Sequence, residues 1–277
     1  MTLSVRNNFF RGGIVFVALS VILTAAGGYF AFPAFPATVA SAALRPWGLI
    51  LRFTESIAVP SAYVPLCTML GAVAYSLVSI ILIYYFFEKT QVPEIFFFGF
   101  FVISLSFEFA RIMIPLNGVF SFPAMFLVSA SRILLFGRYF GLFSLFATSV
   151  YAAGLDVQRQ HNVFFIMVLA ALIISLNVPI DSLVWDSSLK MQNGYRSMFT
   201  MLDTGILVVT ILTFFISSYT RGSKTYLLIG LGSFLVFIGR NILLASDTWI
   251  TPFPGLLILA AGTWLIASRL HREYLWL

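Results

Sequence analysis

Apolar residues run along the chain in blocks about twenty residues long, without a strict alternation of apolar and polar positions. Half-buried strands would alternate, and the strands of a membrane barrel would come as segments of about ten residues. Blocks of about twenty match helices that cross roughly 30 Å of hydrocarbon. The pattern predicts an all-α, polytopic membrane helix bundle forming one integral membrane domain. Its spans fall over residues 14–32, 63–87, 93–115, 121–138, 163–180, 199–219, 226–246 and 253–267.

Three stretches need separate readings. Ahead of the first block stand Arg6 and Arg11, and behind it Pro33 and Pro36. Its length favours a retained helix over a cleaved signal segment, although Ala25-Ala26-Gly27 permits cleavage. Over residues 37–62, Trp47, Ile50, Leu51, Thr54, Ile57 and Ala58 recur at helical spacing, with Arg52, Glu55 and Ser56 on the other side. That predicts an amphipathic interfacial helix on the outer face anchored by Trp47, and a lid packed on the bundle fits the spacing equally well. Finally, apolar character persists from Ser121 to Leu155, too far for one bilayer thickness.

Charge asymmetry decides how to count that last stretch. Taken as one element, 121–138 with an extension over 139–155, it gives eight spans. Arg6, Arg11, Lys89, Arg138, Arg159, Arg221, Lys224, Arg269 and Arg272 then share one side, against Arg45, Arg52, Lys190 and Arg196 on the other. Splitting it reverses every later loop and erases the bias. The positive-inside rule therefore favours eight spans in a cell (inner) membrane, with both termini cytoplasmic and 139–155 as a cytoplasmic-side extension or interfacial helix.

Composition agrees. Hydrophobic residues make up 60% of the 277 and charged ones 9%, against about 25% charged in a soluble domain. Mean hydropathy is +1.00, so the lipid bilayer is the expected surrounding. The net charge of +6 is accounted for by loop residues on the cytoplasmic side, and no nucleic-acid partner is expected. Cys67 is the single cysteine, His161 and His271 lie at span ends, and the lysines lie in loops or at helix ends. These exclude a Cys-based metal cluster, paired haem ligation and a retinal-type Schiff base. No Walker loop, nucleophile elbow or zinc-protease motif is present. No cofactor, metal or enzymatic activity is expected.

An internal echo is also visible. Arg111, Phe122-Pro123 and Arg138 recur at nearly constant offset as Arg240, Phe253-Pro254 and Arg269. Two four-helix halves in parallel orientation would produce it, a pattern some transporters use, although apolar sequences also match by chance.

The chemistry that remains is a set of ionisable residues inside the spans. Glu108 and Arg111, three residues apart, share a helical face. On the boundaries above, Arg132 lies roughly 16 Å from the outer edge, Glu108 and Arg240 roughly 10 Å, and Arg111 and Asp203 roughly 6 Å. Ser104, Ser129, Thr200, Thr210, Ser233 and Asp247 extend these residues into polar stripes at spacings of three, four and seven. Polar stripes turn toward one another and away from lipid. Three arginines against two acids leave one surplus positive charge, which an anion or Asp247 neutralises.

The candidate ligand-binding set is therefore Glu108, Arg111, Arg132, Asp203, Arg240 and Asn241. Its expected ligand is a carboxylate, a phosphate or a lipid headgroup, and a purely structural ion-pair network explains the same residues. Three readings follow: a small-solute transporter, a seven-helix receptor-like sensory module working through a separate partner, and an accessory subunit of a membrane complex. An intramembrane enzyme using Glu108 ranks below these. Phe237 stands where the second copy would carry Glu108's equivalent, so the repeated feature is the arginine.

Overall fold

The structure, a computed structural model, describes residues 3–40, 61, 63–88, 90, 92–180 and 183–275. Among them are eight helices long and apolar enough to cross a membrane, and no strands longer than a single bridge. Helices satisfy every backbone polar group within the segment, which hydrocarbon requires. The chain is a polytopic integral membrane protein. The amphipathic segment expected over 37–62 lies outside the described residues except for its two ends.

The first span begins earlier and ends later than its apolar block. Helix α1 (Leu3–Ala31) passes through a 3-10 turn at Phe32–Ala34 into α2 (Phe35–Ala40). Pro33 and Pro36 do not stop it. Each falls in the opening turn of a new helical piece, where a missing N–H breaks no bond. The second span, α3 (Val64–Phe87), likewise opens with a proline, Pro65.

The third span is the axis of the bundle. It comprises α4 (Pro93–Ser104), a 3-10 stretch (Leu105–Ile112) and α5 (Met113–Phe120). In its most apolar window 89% of residues are buried, against 22% for the fifth and sixth spans, so it is the helix that the others surround. The phenylalanines Phe96, Phe97, Phe98, Phe100 and Phe101 are accordingly core. Phe97 stacks on Tyr151 at 5.0 Å and Phe100 meets Phe140 edge-on at 5.6 Å. The span runs past Pro115, where its apolar block ends, and through Asn117-Gly118, reversing at Ser121 in the left-handed region. Pro115 cannot donate to the Arg111 carbonyl as an α-helix requires, and the backbone just upstream is wound as 3-10.

Helix α6 (Ala124–Ala152) is continuous. Residues 139–152 belong to the same helix as 124–138 and form no separate interfacial element. Its 29 residues span about 43 Å at 1.5 Å each, and the excess over one bilayer core is packed rather than solvated. Tyr139, Phe140, Leu142, Leu145 and Tyr151 are all buried. Gly137 lets the Phe107 side chain lie directly against the helix; a Cβ there would come within 2.4 Å of it.

Helix α7 (Gln160–Asn177) and α8 (Arg196–Thr220) form the fifth and sixth spans, and α9 (Lys224–Ala245) and α10 (Pro252–Leu275) the last two. Small residues bring α9 and α10 together: a Cβ on Gly239 would sit 2.5 Å from the Leu259 nitrogen, and one on Gly262 2.8 Å from the Gly232 carbonyl.

Both ends of the described chain lie at the same end of the bundle. Arg6 donates to the carbonyls of Phe87 and Glu88, and His271 packs edge-on against Phe87. At the other end a segment between α7 and α8, residues 183–195, folds back into the helices. Its Trp185 and Met191 form a bridge, Leu189 and Ser188 are fully buried, and the Trp185 indole donates to the Thr38 carbonyl at 3.0 Å.

Candidate binding site

The 3-10 stretch places Glu108 and Arg111 one turn apart on the buried side of the third span. Their side chains form an ion pair at 3.2 Å, with both residues almost wholly buried. In a 3-10 helix residues three apart eclipse each other, which aligns carboxylate and guanidinium. The Arg111 guanidinium also donates to the Ser188 carbonyl of the inserted segment.

That segment is held at two further points. Asp186 accepts three bonds through Oδ1, from the Ser188 N–H, the Ser188 hydroxyl and the Lys190 N–H, folding the turn on itself. The Ser187 hydroxyl donates to Asp247 at 2.7 Å. Asp247 thus points inward, and its immediate partner is the segment rather than an arginine.

A second ion pair joins α6 to α8: Arg138 donates to Asp203. Asp203 is buried, whereas the Arg138 side chain keeps 39% of its surface, although it stands fourteen residues from either end of α6. Beneath this pair Arg240 on α9 is buried against Ser104 and Gly141 and donates through Nη1 to the Arg138 carbonyl at 3.2 Å. Its Nε and Nη2 have no hydrogen-bond partner among the described residues, and neither has Asp203 Oδ1. Glu108, Asp203 and Arg138 are the charges within electrostatic reach of Arg240.

These groups surround a cavity of about 390 Å³ at the end opposite the termini, within the range of small-molecule sites. Its charged lining is Arg138, Lys190 and Arg196 against Glu108 and Asp186, with Ser131, Gln192, Asn193, Thr200 and Asn241 between them. Basic groups exceed acidic ones by one in the wall, and Arg111 and Arg240 behind it balance Asp203 and Asp247. The local field favours an anion. Among the described residues no group of three or more His, Cys, Asp or Glu is placed to hold a metal ion.

Of the six residues expected to form the site, Glu108 and Asn241 line the cavity, and Arg111, Asp203 and Arg240 lie buried behind its wall. Arg132 does not join them. It is exposed on the outside of α6, because the cavity face of that helix is Ser131, Leu134, Leu135 and Arg138. Arg138 takes the central position that depth reckoning assigned to Arg132. Spacing alone contained a signal for it, since Ser131 and Arg138 are seven apart and share a stripe. For Asp186 and Lys190, in a loop that folds into the bundle, periodicity holds no signal.

Comparison with protein-family models, curated proteins and solved structures finds no match for the chain. The class therefore rests on the fold and the site: a multi-pass membrane protein with a charged cavity between its third, fourth, sixth and seventh spans.

Proposed function

We propose that the chain is a permease-like transporter of a cell (inner) membrane whose cavity takes a small anionic group: a carboxylate, a phosphate or a lipid headgroup. One observation carries this reading. Arg138 stands midway along a membrane helix, lines the cavity with 39% of its side chain exposed, and has a counter-charge, Asp203, that is buried and does not line it. An arginine in hydrocarbon costs about 2.5–3.5 kcal/mol even by the lower scales, and one left accessible at that depth fits ligand capture better than packing. The basic excess at the termini end supports a cytoplasmic position for that end, so the cavity faces the opposite side. Burial of both Arg111 and Arg240 beside the cavity supports the parallel two-half relation.

The test is direct. Purified protein is expected to be thermally stabilised by lactate, phosphate or a short-chain phosphatidylglycerol, and to carry the responsive anion into proteoliposomes. Arg138→Gln should lower both responses about tenfold or more, the scale of one charge-assisted contact. Stabilisation without uptake would turn the reading toward a receptor-like sensor, and neither response would remove it.

A further inference from the structure

The two ion pairs at the cavity differ in one respect that bears on how an anion could enter. The partner of Glu108 is Arg111, which is fully buried, does not line the cavity and is engaged by Ser188 as well. No ligand in the cavity reaches it. The partner of Asp203 is Arg138, which lines the cavity and is partly open to it. An entering anion therefore meets a guanidinium already committed to a carboxylate.

We propose that the anion competes with Asp203 for Arg138 and that the released carboxylate takes up a proton, so that the cavity binds an anion and a proton together. This rests on the anion-binding reading of the cavity. The balance closes: a carboxylate paired with a guanidinium, plus one anion and one proton, becomes a carboxylic acid beside a guanidinium paired with the anion. Site charge is unchanged, as a membrane interior favours.

The groups around Asp203 support the exchange. From α6 it faces Arg138 and Tyr139, and from α9 Arg240. Arg240 gives its one hydrogen bond to the Arg138 carbonyl rather than to Asp203, and its charge is shared with Glu108 of the third span. On its own helix Arg196 lies two turns away and lines the cavity, as do Asp186 and Lys190 of the inserted segment. Once Arg138 turns to the anion, Asp203 loses the one hydrogen bond it accepts, and Arg240, whose Nε and Nη2 give it none, is held by the Arg138 carbonyl and shares its charge with Glu108. A buried carboxylate without a donor is neutralised by protonation, and Oδ1, already without a partner, is a vacant position for that proton.

The experiment uses full-length protein in phosphatidylcholine nanodiscs and two monovalent probes that stay ionised between pH 5 and 8, methanesulfonate and dihexanoyl-phosphatidylglycerol. They distinguish a free anion from a lipid headgroup. Calorimetric titration in buffers of different ionisation enthalpy counts the protons taken up per anion bound. The expected result is close to one proton for whichever probe binds, with affinity weakening by up to about tenfold per pH unit as pH rises. Asp203→Asn, which mimics the neutral acid, should bind at pH 8 as the parent does at pH 5, with no proton uptake. Binding by the parent without proton uptake overturns the inference and leaves the anion site standing, as does a pH dependence that survives Asp203→Asn. Failure of both probes to bind at any pH overturns the anion site and the inference with it.

Discussion

Arg111 and Ser188, 77 residues apart in sequence, meet inside the bundle: the guanidinium of the third span donates to the backbone carbonyl of the segment between α7 and α8. The contact fixes a loop to the axis of the fold, and it depends on a side chain that also neutralises Glu108. Arg111→Gln is therefore expected to do two things. Removing one partner of a buried pair costs about 3–5 kcal/mol, read as a loss of thermal stability in detergent. Hydrogen exchange at residues 186–191 should accelerate as well. A stability loss with unchanged exchange there would mean the segment is held by Asp247 and Thr38 alone.

Arg138 and Asp203 form a pair whose halves should not be separable. Either Arg138→Gln or Asp203→Asn alone should destabilise, Arg138→Gln by about 3 kcal/mol or more because it strands a buried carboxylate. The double variant should recover most of that loss. A double-mutant cycle with coupling near zero would show that the pair contributes nothing. Arg132→Gln is the contrast: six residues away but exposed, it should change stability by no more than about 0.5 kcal/mol.

The α9–α10 contact rests on glycine. Gly239→Val would drive a side chain into the Leu259 backbone, and overpacking of this kind costs about 1–3 kcal/mol or more. Gly205 in α8, with nothing within 4 Å of its missing Cβ, gives the opposite expectation. Gly205→Ala should stabilise by about 0.5–1 kcal/mol, since only helix propensity changes. Thermal denaturation of both variants checks the pair.

Trp185 offers a local probe. Its indole bond to the Thr38 carbonyl ties the inserted segment to the end of the first span. Trp185→Phe should lose about 1 kcal/mol, the net value of one hydrogen bond, and raise protease sensitivity within residues 183–195. Unchanged proteolysis would mean that the bond does not restrain the segment.

The helical class and the eight apolar crossings were legible because blocks of about twenty apolar residues admit few other structures in lipid. Helical stripes also carried information: Asp203 and Arg240 were expected on inward faces, and both are buried. Arg132 and Arg138 show where that reasoning ran out. Six residues apart, they point about 120° away from each other around the helix, so one helix cannot turn both toward the same cavity. Choosing between them requires knowing where the helix ends. Ending it at Arg138 made that residue a loop charge and gave Arg132 the central depth. The inserted segment was illegible for a different reason: it has no periodicity, and its turn is built from Asp186, Ser188 and Lys190 bonding among themselves.

The eight residues of 3-10 winding in the third span tie two properties together. A 3-10 helix turns 120° per residue and an α-helix 100°, so rewinding to α would swing Arg111 about 60° away from Glu108 and shorten the stretch by about 4 Å. Clasp and pitch are one mechanical variable. The clasp depends on the winding, and Pro115, which cannot donate to the Arg111 carbonyl, opposes the rewinding that would open it.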